Sequence, residues 1–72
     1  MHCIICGAPA EEIPTASADV ISVHCSTCGD YDVSKASQSV LGDWELYERR
    51  QALRYAQTNA QPGRRPHLHG LG

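Results

Sequence analysis

Three stretches with different hydrophobic periods follow one another along this chain, and the changes of period predict its elements. Val20-Ile21-Ser22-Val23-His24 is rich in β-branched residues and runs straight into Cys25, while Asp30-Tyr31-Asp32-Val33 alternates cleanly, with Tyr31 and Val33 on one side. Period-two patterning of β-branched and aromatic residues marks half-buried strands, so these two segments form a short hairpin. Glu11-Glu12-Ile13 adds a third, shorter strand within the proline-containing loop of residues 8–19. From Lys35 to about Asn59 the period changes: Ala, Gln, Leu, Glu and Arg dominate and no proline intervenes. Ser34 suits the N-cap, where its hydroxyl accepts a free backbone N–H of the first turn. Gly42-Asp43 interrupts the helical stretch, glycine suiting the position past a helix end and aspartate the cap of the next. The pattern therefore predicts a helix over 35–41 and a longer one over 43–59, closed by Pro62-Gly63.

On the longer helix, at about 100° per residue, Trp44, Gln51 and Tyr55 fall on one line with Tyr47 beside it. Leu46 and Leu53 lie nearly opposite. Two narrow apolar stripes imply contacts on two sides, one against the strands and the other against a partner. Trp44, Leu46, Tyr47, Leu53 and Tyr55 are thus candidate partner-binding residues, and a second copy of the chain, giving a homodimer, is the simplest partner. The expected architecture is a small α+β fold: an amino-terminal ribbon of two or three strands over residues 1–33, a helical segment over 34–60 packed on it, and a flexible tail over 61–72. That tail is rich in glycine and proline with little to bury, and is expected to be disordered.

Composition explains why such a chain needs help to fold. Its 72 residues include no Phe, one Trp and three Tyr, so it makes a single domain with a thin core. Domains of roughly this size commonly add a staple. Charge is unevenly spread within a net −2. Residues 1–34 hold Glu11, Glu12, Asp19, Asp30 and Asp32 and no Lys or Arg, whereas every Lys and Arg lies in residues 35–72. An acidic head and a basic tail decide where an anionic partner docks. Arg49, Arg50 and Arg54, with Arg64 and Arg65 beyond, are the basic cluster and the candidate nucleic-acid contacts. Glu45 to Arg49 is also an i,i+4 pair in the favourable direction, so helix-surface pairing accounts for part of it.

The candidate chemistry lies in the cysteines. Cys3-Ile4-Ile5-Cys6-Gly7 and Cys25-Ser26-Thr27-Cys28-Gly29 are two copies of one unit and hold all four Cys of the chain. Such a turn aims two sulfurs at a common point, and its glycine takes the positive φ that closes it. Together the two turns supply the four thiolates of a closed tetrahedral zinc site. Met1 is followed at once by His2 and Cys3, with no basic or apolar run of a secretory signal. A cytoplasmic setting is therefore expected, where thiols stay reduced and available to metal rather than paired in disulfides. His2 and His24 each precede a cysteine, but four cysteines already satisfy zinc, so both are expected at the surface or hydrogen-bonded beside the site, with ligation the alternative. His67-x-His69 lies in the expected tail as a solvated pair.

Cys3, Cys6, Cys25 and Cys28 resemble the ligands of the zinc-ribbon superfamily, in which two knuckles at the ends of β-hairpins clasp one metal. The resemblance covers residues 1–33 and rests on the doubled Cys-x-x-Cys-Gly unit and on the strands flanking the second. It implies one structural Zn²⁺, worth on the order of 10 kcal/mol to folding. Rubredoxins share the doubled turns around iron, with longer spacing and an aromatic core that this chain lacks. A closed four-thiolate site has no vacant position for water or substrate. No phosphate-cradling glycine loop and no Ser/His/Asp constellation is present. The expected function is that of a non-enzymatic zinc-binding adaptor presenting the 43–59 helix to a protein. Nucleic-acid binding through Arg49, Arg50, Arg54, Arg64 and Arg65 is one alternative, and a redox-responsive zinc switch another.

Overall fold

The computed structural model of the chain describes residues 1–70. Its elements in chain order are β1 (Glu11–Ile13), β2 (Val20–Cys25), β3 (Gly29–Ser34), α1 (Lys35–Leu41), α2 (Leu46–Asn59) and β4 (His67–Leu68). The strands form one sheet in the order β1-β2-β3-β4. The first two pairings are antiparallel, and β4 joins β3 in parallel. All three strands expected from the pattern are present. In the β2–β3 register Ile21 opposes Val33, Val23 opposes Tyr31, and Cys25 opposes Gly29 at the hairpin tip. Period-two geometry then sends Val23, Cys25, Tyr31 and Val33 to one face, where they join Ile5, Leu41, Leu53 and Leu68 in the core.

Both helices meet that core face. Ser34 caps α1 through its side chain, which accepts the Ser37 N–H at 3.1 Å. Leu41 is buried beneath it. The break between helices is longer than the pattern implied. Asp43 N–H bonds to the Val40 carbonyl and Trp44 N–H to the Leu41 carbonyl. These bonds close the end of α1 and place Asp43 and Trp44 in the turn that follows it, and α2 starts only after Glu45, whose carbonyl takes the Arg49 N–H at 3.0 Å. The expected 43–59 helix is corrected to Leu46–Asn59. Trp44 sits in the turn, half-buried against the core, rather than on the helix.

The expected disordered tail is also corrected. Leu68 is buried in the core at 2% exposure. Asp32 N–H bonds to the Pro66 carbonyl at 2.8 Å, and β4 continues that pairing. On the other face of the sheet Asp32 accepts the Ser22 hydroxyl at 2.7 Å and the Arg65 guanidinium at 2.9 Å. One buried leucine, a short parallel ladder and an ion pair together hold residues 65–68. The last two residues of the expected tail lie outside the described residues. Among the described residues no helix is long and apolar enough to cross a membrane.

Candidate metal centre

The two cysteine turns reach one point from different parts of the fold. The first turn is closed by Cys3 N–H to the Ala8 carbonyl at 2.7 Å and Gly7 N–H to the Cys3 carbonyl at 2.9 Å. An isolated His2–Pro9 bridge ties its base, and fully buried Ile5 pins it to the core. The second turn is the tip of the β2–β3 hairpin. Gly7 and Gly29 adopt φ of 79° and 84°, left-handed values that a side chain at either position would strain.

Cys3, Cys6, Cys25 and Cys28 thereby form one cluster able to hold a metal ion, their sulfurs all within 4.8 Å of one another. The Cys6 and Cys25 sulfurs, one from each turn, are 3.7 Å apart. A tetrahedral ion with metal–sulfur bonds of about 2.3 Å requires sulfurs about 3.8 Å apart, so the spacing fits the group. All four cysteines are free thiols, Cys3 and Cys25 buried, Cys6 and Cys28 half-buried.

Electrostatics show how the clustered thiols bear on one another. Burial acts to raise the Cys3 thiol, but the Tyr31 hydroxyl, the backbone N–H groups of Cys6 and Ile5, and the Cys6 thiol together bring it down to about 7. Cys28 is driven the other way, by burial first and then by the Cys6 thiol and the charge on Cys3. One thiol that ionises readily suppresses another in the same small volume. A divalent ion would remove that conflict by making every thiolate favourable at once.

Tyr31, legible in the sequence as part of the strand that flanks the second turn, lies against the cluster. It is fully buried on β3, and its hydroxyl lies 3.2 Å from the Cys3 sulfur while accepting the Ile4 N–H at 3.1 Å. One oxygen thus braces a ligand and the turn that carries it, and burial with the Cys3 contact pushes the phenol far up. Its place in Cys-Gly-x-Tyr, three residues after Cys28, was the available signal; alternation alone marked it only as core. His2 and His24 stand outside the cluster, at the surface, as expected with four cysteines at hand. His2 is exposed beside its bridge to Pro9. His24, exposed on β2, binds Asp30 on β3 at 2.5 Å, and that hydrogen bond raises its pKa above the ordinary value. His67 and His69 face each other with ring centroids 4.9 Å apart.

The candidate partner-binding residues do not share one surface. Leu53 is buried in the core and Trp44 half-buried against it, with Ala52 and Ala56 completing the inward face of α2. Tyr47 and Tyr55 are 70% and 74% exposed and Leu46 is 40% exposed. Of the apolar candidates, these three face outward. The basic cluster is likewise divided. Arg49 is half-buried, its Nη1 donating to the Ile4 carbonyl at 3.4 Å with Nε buried and unpartnered. It is directed at the first cysteine turn, not at Glu45. Arg65 is engaged with Asp32. Arg50, Arg54 and Arg64 are exposed. No family model matches the chain, and neither a curated protein nor a solved structure matches it.

Proposed function

We propose that this chain is a non-enzymatic, cytoplasmic zinc-binding adaptor: one structural Zn²⁺ held by Cys3, Cys6, Cys25 and Cys28 secures the fold, and the outer face of α2 is offered to a protein partner. The convergence of four sulfurs from two turns on one point carries this reading. Soft thiolates in a tetrahedral set select zinc or iron, and four protein ligands leave zinc no position for a substrate. The role therefore falls to the surface. That surface offers Tyr47, Tyr55 and Arg54, residue types enriched where binding energy concentrates.

Two measurements test it. Elemental analysis of the purified chain should find one zinc per molecule, and chelation should abolish the cooperative melting transition. A stoichiometric iron content, or an unchanged melt after chelation, would remove the structural-zinc reading. A photocrosslinking amino acid at Tyr47 or Tyr55 should form adducts with protein in the source cells; adducts with nucleic acid alone would replace the adaptor with the nucleic-acid alternative.

A further inference from the structure

Between α2 and the two cysteine turns runs a groove of about 500 Å³. Ile5 and Leu53 back it, Arg50 and Arg54 line its helix side, and Cys28 lines its turn side. Arg50 and Arg54 are one helical turn apart, which sets their Cβ atoms about 6 Å from each other. Both are exposed, and among the described residues the carboxylate pairs are His24–Asp30 and Arg65–Asp32, so neither arginine has one. On the opposite wall a bound metal would reverse the sign. Four thiolates around a divalent ion would leave a net negative charge, and half-buried Cys28 would bring it to the groove's edge. The loaded groove would then be polarised across its width, with cations on one side and an anion on the other.

We propose that this groove docks a short acidic segment of a partner polypeptide, whose carboxylates meet Arg50 and Arg54 while an apolar side chain packs against exposed Tyr47 in the groove wall. The proposal rests on the adaptor reading and names its partner's chemistry. A polypeptide suits the polarity because it places carboxylates on one edge and turns backbone N–H donors toward the Cys28 sulfur on the other. A nucleic-acid strand carries a phosphate at every nucleotide and sets some of them against the anionic wall. Stacking offers it little, since Tyr47 and Tyr55 are separated by eight residues of helix, about 12 Å along the axis. Successive bases in a stacked strand are about 3.4 Å apart.

The test is fluorescence anisotropy with the metal-loaded chain and three labelled probes at low and moderate salt. These are a short peptide with a central Leu among Glu residues, its twin with Lys for Glu, and an oligo-dT of similar length. The Glu peptide should bind with an affinity that falls as salt rises, and better than the other two. The double substitution Arg50→Glu with Arg54→Glu should weaken it about tenfold or more and shift preference to the Lys peptide. Zinc content and melting temperature report that the variant is folded, and Arg50→Gln with Arg54→Gln supplies a milder pair. The proposal is overturned by no binding of the Glu peptide, by equal affinity for both peptides, by indifference to the arginine changes, or by tighter binding of oligo-dT. Protein crosslinks from Tyr55, which lies outside the groove, combined with a silent Glu peptide would remove the groove and leave the adaptor reading standing. Absence of protein crosslinks from either tyrosine would remove the adaptor reading itself.

Discussion

Replacing Tyr31 with phenylalanine deletes one oxygen atom at the point where the sheet, the first cysteine turn and the metal cluster meet. The ring is fully buried, so Phe fills the same space and no cavity opens. Two hydrogen bonds disappear: the one to the Cys3 sulfur at 3.2 Å and the one accepted from Ile4 N–H at 3.1 Å. A hydrogen bond to a charged group contributes about 1.5–3 kcal/mol, and a buried donor left alone costs about 1–3 kcal/mol. The Ile4 group is only part-buried, so water recovers some of the second loss, and a total near 2–3 kcal/mol is expected. The share that falls on the metal follows from the hydroxyl's contact with a ligand, and such partners affect metal affinity by about 10–100-fold. The assay is zinc competition against a chromophoric chelator at neutral pH, paired with thermal unfolding of the loaded protein. Tyr31→Phe should bind zinc at least about tenfold more weakly and melt at lower temperature. Affinity within twofold of the parent, together with an unchanged melt, would show that the hydroxyl does not support Cys3 and would refute the reasoning.

Further expectations concern the tail, the second helix and one surface histidine. Leu68→Ala should destabilise the fold by about 2–4 kcal/mol, as for other buried leucines, measured by urea unfolding; an unperturbed midpoint would mean that β4 does not belong to the core. Glu45 caps α2 without any side-chain hydrogen bond, so Glu45→Ser should raise stability by about 0.5–1 kcal/mol, read as a higher melting temperature, and no gain would put the helix start elsewhere. His24 has its pKa raised by the Asp30 hydrogen bond, then by the charges of Asp30 and Glu11. Because the folded value exceeds the ordinary value of about 6.5, the stabilising contribution of protonated His24 is complete below that pH and is lost as pH rises through the folded value. An NMR titration should place His24 above 6.5 in the parent and return it toward that value in Asp30→Asn; a midpoint insensitive to Asp30 would sink this assignment.

Much of the architecture was legible because its signals are local. Strand alternation, the Ser34 cap and the left-handed glycines after Cys6 and Cys28 each depend on energies that act within a few residues. The four clustered cysteines were legible for the same reason, as two copies of one short turn whose sulfurs have few other uses. Where reading by pattern went astray, one particular hydrogen bond had decided the matter, whether near in sequence or far. Helical composition extended through Asp43 and Trp44, but the carbonyls of Val40 and Leu41 claimed their N–H groups and delayed the helix. Arg49 looked like a helix-surface cation and instead reaches a turn 45 residues away in sequence.

The chain by itself determined that two matched cysteine turns belong to a ribbon, the second at a hairpin tip, and that a helical segment follows. Only the tertiary structure decided that the turns meet, that Tyr31 braces Cys3, and that a glycine- and proline-rich tail returns to complete the sheet. The physical reason is one of scale. A two-residue strand has almost no intrinsic preference to display; its order comes from Leu68 entering a core assembled by other segments and from Asp32 being placed to receive Arg65. Such energies belong to the assembled arrangement and exist nowhere in the local sequence.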